Sequence, residues 1–196
     1  MVPRSRTASG ELEGKILAAA LELLAEQGSQ ALTVRGIATR AGVAPMGIYN
    51  HFDGKVGVVE AVWTEGFDRL CSAMDVDDTL TPIEALMACG RSYRRFAHEH
   101  PAYYRLMFME HLDDFTPSPE GAVASGRALQ ILVNRVERAQ DAGDIAPGRS
   151  IDIAQGIWAA VHGWVSLEIL RVNFALDADD AYDRLLQSIC RGFRES

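Results

Sequence analysis

TVRGIATRAGVAPMGIYNHFDGK, residues 33–55, divides into two short helices separated by a tight turn. Thr33 has the side chain of a helix N-cap, and Val34, Ile37 and Ala38 recur at the spacing of one buried helical face. Gly42 supplies the left-handed backbone that a sharp turn between helices requires, with Val43 beside it to fill the angle. Pro45 then starts a second helix at the first-turn position, where a missing N–H costs nothing. Of that second helix only Ile48, with Phe52 four residues on, has an anchoring apolar side chain. Pro45, Met46, Gly47, Tyr49 and Asn50 form an outward set. A helix of this length is not stable alone and must be held by its neighbours. Small residues and a hydroxyl-bearing aromatic on its outer face suit it to the major groove of duplex DNA. Lys55 opens the next helix, where a lysine and unpaired backbone N–H groups can meet a phosphate together.

Outward from this segment the chain reads as helix throughout. Ile16, Leu17, Ala20, Leu21, Leu23 and Leu24 make an apolar stripe that Gly28 ends. Asp53 is placed to cap a helix of about twenty residues from Lys55 to near Cys71. Thr81-Pro82-Ile83-Glu84 carries a cap, a first-turn proline and a glutamate for the reciprocal bond, and the helix it opens keeps Leu86, Cys89, Tyr93 and Phe96 on one side. Shorter and longer helices follow at Tyr103–Met109, Val123–Asp141, Ile151–Val172 and Ala178–Phe193, with Ser150 and Asp177 as caps. His111–Glu120 is polar, contains two prolines and reads as a loop. No alternating strand pattern and no internal repeat is present. The expectation is an all-α chain of about nine helices. A flexible arm spans 1–10, a three-helix helix-turn-helix domain 11–58, and a helical domain for effector binding and dimerisation 59–196.

The chain has 196 residues and a net charge of −8. Residues 1–60 hold six basic and six acidic side chains, so the whole negative excess lies beyond them. That asymmetry permits DNA contact at one end and discourages it elsewhere. Apolar residues make up 48% of the chain, enough for a core, yet no run approaches bilayer length. Arg4 and Arg6 are followed by no apolar block, so no secretory signal is read. Three scattered cysteines fit reduced thiols in a cytoplasm. His98 and His100 are two apart and point to different sides of a helix, and no histidine pair at i, i+4 exists. With His111, Glu99, Asp113 and Asp114 they read as a solvated turn, with no metal and no cofactor expected. No cysteine has a base at readable spacing and no phosphate loop is present, so an enzyme is not indicated.

Beyond these physical arguments, residues 17–62 resemble the DNA-binding signature of TetR-type (tetracycline-repressor-like) regulators. Thr33, Ile37-Ala38, Ala41-Gly42-Val43, Gly47, Tyr49, His51, Phe52 and Lys55 carry the likeness in register. The resemblance implies that Thr33, Tyr49, His51 and Lys55 mainly fix phosphates, and that Arg35, Pro45, Met46, Gly47 and Asn50 lie nearest the base edges. Two positions depart from the pattern. Ala44 stands where a Ser or Thr cap is usual, and Asn50 where an aromatic or basic residue is usual. His100-Pro101-Ala102-Tyr103-Tyr104-Arg105-Leu106-Met107-Phe108 and Ile157–Gly163 resemble the effector domain of one TetR subgroup named for a Trp-His-Gly triplet. Here Trp158 and Trp164 flank His162-Gly163 without forming the triplet.

For the C-terminal part, Tyr93, Phe96, Met107, Phe108, Leu129, Trp158 and His162 are candidates to line an effector pocket, against the plainer reading of a filled core. The helix 151–172 is apolar nearly all round and so needs cover on two sides. Trp164, Leu167 and Leu170, with Leu185 and Ile189 of the last helix, are the candidate homodimer interface. The expected function is a ligand-responsive regulator of transcription, a repressor released from a palindromic operator on double-stranded DNA by a small, hydrophobic effector. The alternative is a helical ligand-binding module without DNA activity.

Overall fold

The computed structural model describes residues 6–77 and 79–194. Among them are nine α-helices, one short 3-10 turn (Ser29–Ala31) and no strand. The helices are α1 (Arg6–Gln27), α2 (Val34–Ala41), α3 (Pro45–His51), α4 (Gly54–Met74), α5 (Pro82–Glu99), α6 (Pro101–Phe108), α7 (Pro119–Asp141), α8 (Ser150–Ile169) and α9 (Ala178–Gly192).

Several boundaries differ from the sequence expectation, most of them by one to three residues; α6, for one, begins at Pro101 rather than Tyr103. Helix α1 begins at Arg6, so residues 6–10 of the expected arm are helical, while 1–5 lie outside the described residues. Helix α7 begins at Pro119, using the proline as a first-turn residue where the sequence suggested a loop to 120. Ser150 is inside α8 rather than its cap, and its hydroxyl donates to Gln140 Oε1 at 3.0 Å. Helix α8 stops at Ile169, and Arg171, at φ 59°, turns the chain out of the helix before Val172.

The described residues pack as two units, one of residues 6–67 with 101–123 and one of 68–77 and 79–100 with 124–194. The boundary anticipated near residue 58 falls inside α4, and α6 belongs with the N-terminal helices. In the first unit, Ile16, Ala19, Ala20, Leu23 and Leu24 of α1 are buried at the repeat of a helical stripe. They share the core with Ile37 and Ala38 of α2, Ile48 of α3 and Val58, Val59 and Val62 of α4. Helix α6 adds Tyr103, Tyr104 and Met107, and it reaches α4 closely because position 66 is glycine. A Cβ there would lie 2.7 Å from Met107 Sδ and 3.0 Å from Tyr103 Cδ1. Phe67 and Phe108 meet edge to face at 5.5 Å in the same cluster.

In the second unit, α5 packs on α8 and α9. Its start is fixed by the Glu84 carboxylate, which accepts from both the N–H of Thr81 (3.1 Å) and its hydroxyl (2.6 Å). Leu86, Cys89, Tyr93 and Phe96 are all buried, as their spacing predicts. Helix α8 buries Ala154, Ile157, Val161 and Val165, and α9 buries Tyr182, Leu186 and Cys190. Arg94 bridges this layer: its guanidinium donates to both Glu168 oxygens at 2.8 and 2.9 Å. Burial alone would raise the Glu168 carboxyl, but Arg94 and His98 outweigh it and hold the group below the usual range.

Candidate nucleic-acid interface

Thr33, with an extended backbone, caps α2: its Oγ1 accepts from the N–H of Gly36 at 3.0 Å. Such a cap is worth ~1 kcal/mol. At the other end Gly42 takes the left-handed conformation (φ 67°, ψ 34°), and the N–H of Val43 closes the turn on the Ala38 carbonyl at 2.9 Å. Helix α3 then leaves from Pro45. Ala44 precedes it without a side-chain cap, as the departure from the family pattern implies.

One residue of α3 is sunk, two are half-buried and four stand out. Ile48 has 0% exposure, whereas Met46 has 65% and Tyr49 59%. Pro45 and Asn50 are exposed, Gly47 and Phe52 half-buried. Of the outward set read from the sequence, Pro45, Met46, Tyr49 and Asn50 are exposed on this two-turn helix, and Gly47 is half-buried. Thr33 and Arg35 are exposed beside it, and Thr33, Arg35, Gly36, Thr39 and Arg40 line a shallow cleft of about 580 Å³.

Three basic side chains around α3, Arg40, His51 and Lys55, have acidic partners. Arg40 reaches Glu22 at 3.1 Å and Glu26 at 2.6 Å on α1. Hydrogen bonds to these two carboxylates raise the Arg40 guanidinium further above its ordinary value and lower Glu26. His51 Nδ1 lies 3.1 Å from Glu13, and Lys55 Nζ lies 3.3 Å from Asp114. Sequence reasoning missed all four carboxylates. Glu22 and Glu26 are visibly four apart on α1, but nothing in their spacing names Arg40 as the residue between them.

The candidate effector residues fall into two groups. Tyr93, Phe96, Leu129, Trp158 and His162 lie in the second unit, while Met107 and Phe108 lie in the first, with Gly66, Phe67 and Tyr104. In the second unit, Tyr93 Oη is 2.9 Å from His162 Nδ1 and accepts from Trp158 Nε1 at 3.4 Å. Burial holds the His162 imidazole below its ordinary pKa and so favours the neutral ring. Of the candidate interface residues, Leu167 is 46% and Leu170 58% exposed, and Trp164, Leu185 and Ile189 are half-buried. Among the described residues, no group of three His, Cys, Asp or Glu is placed to hold a metal ion, and no helix is long and apolar enough to cross a membrane.

Two family models cover most of the chain. One, described as bacterial regulatory proteins of the tetR family, matches residues 16–62; the other, the tetracyclin repressor-like C-terminal domain, matches 86–189. The chain belongs to the TetR family. It is a transcription regulator of that family, with a DNA-binding helix-turn-helix and a C-terminal ligand-binding domain, in a family of dimers rather than of enzymes.

Among its relatives, the uncharacterized HTH-type transcriptional regulator Rv0681 of Mycobacterium tuberculosis is 25% identical over 178 residues, 90% of this chain and 79% of that one. The HTH-type transcriptional repressor KstR2 of the same species is 24% identical over 185 residues, 91% of each. A protein of unknown function from Rhodococcus sp. RHA1 has the same TetR fold along its whole length, with TM-score 0.83, 25% identity and full coverage of both chains.

Proposed function

We propose that this TetR-family chain is a homodimeric repressor that holds a palindromic operator and lets go when a small hydrophobic molecule binds. The carrying observation is the contrast on α3: Ile48 is locked in the core while Met46 and Tyr49 face outward. A short helix held by one apolar anchor and otherwise exposed can enter a major groove without unfolding its own domain. In this reading Arg35, Pro45, Met46, Gly47 and Asn50 meet base edges, and Thr33, Tyr49, His51 and Lys55 meet phosphates. Thr33 also keeps its capping bond, so its phosphate role is shared with a structural one.

DNA contact belongs to residues 11–58, and effector binding and dimerisation to 59–196. Tyr93, Phe96, Leu129, Trp158 and His162 are the pocket candidates in this reading, all of them within one packing unit. Their aromatic rings favour a hydrophobic compound, with the Tyr93–His162 pair as its polar anchor. An effector that favours one arrangement of α4 changes the separation of the two recognition helices, and by linkage DNA weakens effector binding equally. Repression is favoured by the likeness to KstR2, named a repressor. A regulator of this kind works in the cytoplasm.

Selection of binding sites from a random duplex library with the purified protein tests the reading. The expected outcome is an enriched inverted repeat whose half-sites lie about 34–36 Å apart, one helical turn. No enrichment over input favours the alternative, a ligand-binding helical module without DNA activity.

A further inference from the structure

The segment between α6 and α7 is fastened to the DNA-binding unit at both ends. On the α6 side, the Ser29 hydroxyl donates to Glu110 Oε2 at 2.6 Å. On the α7 side, Glu60 of α4 accepts from the hydroxyl of Ser118 at 2.7 Å and from its N–H at 3.2 Å. Between these points the Phe115 ring meets Trp63 at 6.1 Å, and the Phe115 N–H closes a turn on the Leu112 carbonyl. The turn holds Asp114 against α4, 3.3 Å from Lys55 Nζ. Lys55 is 28% exposed and Asp114 74%, so the carboxylate is the more solvated partner. A carboxylate paired with a lysine ammonium makes the kind of contact that a phosphate oxygen would make there.

We propose that Asp114 is an affinity-setting residue: an internal stand-in for a DNA phosphate that pairs with Lys55 and competes with the DNA backbone for it. The proposal rests on Lys55 being a phosphate contact. It assigns a function to a loop that would otherwise be a plain connection. Because the pair is partly exposed, Asp114 tempers the grip rather than blocking it; exposed pairs have small net energies. Asp113, the preceding residue, instead faces His111 at 3.5 Å within the loop itself. It therefore serves as a control for bulk charge.

The test is fluorescence anisotropy of the full-length protein on a labelled mixed-sequence duplex, since a phosphate contact does not depend on sequence. Asp114→Asn and Asp113→Asn remove the same charge. We expect Asp114→Asn to tighten binding by about two- to five-fold for each protomer engaged, well beyond Asp113→Asn. In a Lys55→Met background the two substitutions should become equivalent. Equal effects in the parent protein, or an Asp114→Asn gain that survives Lys55→Met, would overturn the proposal. Should Lys55→Met alone leave binding unchanged, the phosphate reading of Lys55 fails and this inference falls with it. A Lys55→Met loss without an Asp114→Asn gain sinks the inference only.

Discussion

The double variant Tyr49→Ala, Lys55→Ala is expected to bind its selected operator at least about 100-fold more weakly than the parent, with its fold intact. The magnitude follows from two contacts per protomer: a hydrogen bond to a charged group is worth about 1.5–3 kcal/mol, and each 1.4 kcal/mol is tenfold. Both half-sites lose them. The fold should hold because Tyr49 is largely exposed and the Lys55 ion pair has an exposed partner. Thermal melting within about 3 °C of the parent would confirm that binding, not folding, was removed. Binding that persists unchanged in the double variant would place the DNA contact elsewhere.

The second large effect is on assembly. Leu167→Asp with Leu170→Asp should yield a folded monomer by light scattering, with the helical circular dichroism of the parent. Both side chains are exposed in the single chain, so the substitutions cost the isolated fold little. In a dimer they would bring four unpaired carboxylates into an apolar contact, at a cost of several kcal/mol each. Trp164→Asp is a poorer probe, because that ring also packs, tilted, against Tyr182 within the chain, with centroids 6.1 Å apart. A monomer should also lose operator affinity steeply, since the second half-site no longer binds at high effective concentration. An undiminished dimer would remove this face of α8 from the interface.

Residues 33–55 were the most legible part of the chain. There Thr33, Gly42 and Pro45 act through local backbone chemistry, and the structure has each where that chemistry requires. The buried stripe of α5 was equally readable, because Leu86, Cys89, Tyr93 and Phe96 repeat on one face. Periodicity states which face is apolar but not what covers it. For that reason α6 could not be assigned to the DNA-binding unit, nor Met107 and Phe108 separated from Tyr93 and His162. The end of α8 was misjudged for a related reason: Leu170 and Val172 continue the apolar run but are exposed in the turn after it. Asp114 and Glu13 were illegible because an ion pair between distant segments leaves no local pattern.

The central claim is that α3 enters the groove of duplex DNA, and its most direct test is photo-crosslinking from that helix. With p-benzoylphenylalanine in place of Met46, irradiation in the presence of operator duplex should give a covalent protein–DNA adduct within each half-site. The same amino acid in place of Leu176, exposed in the turn before α9, should give none. Adducts from position 176 with none from position 46 would contradict the account.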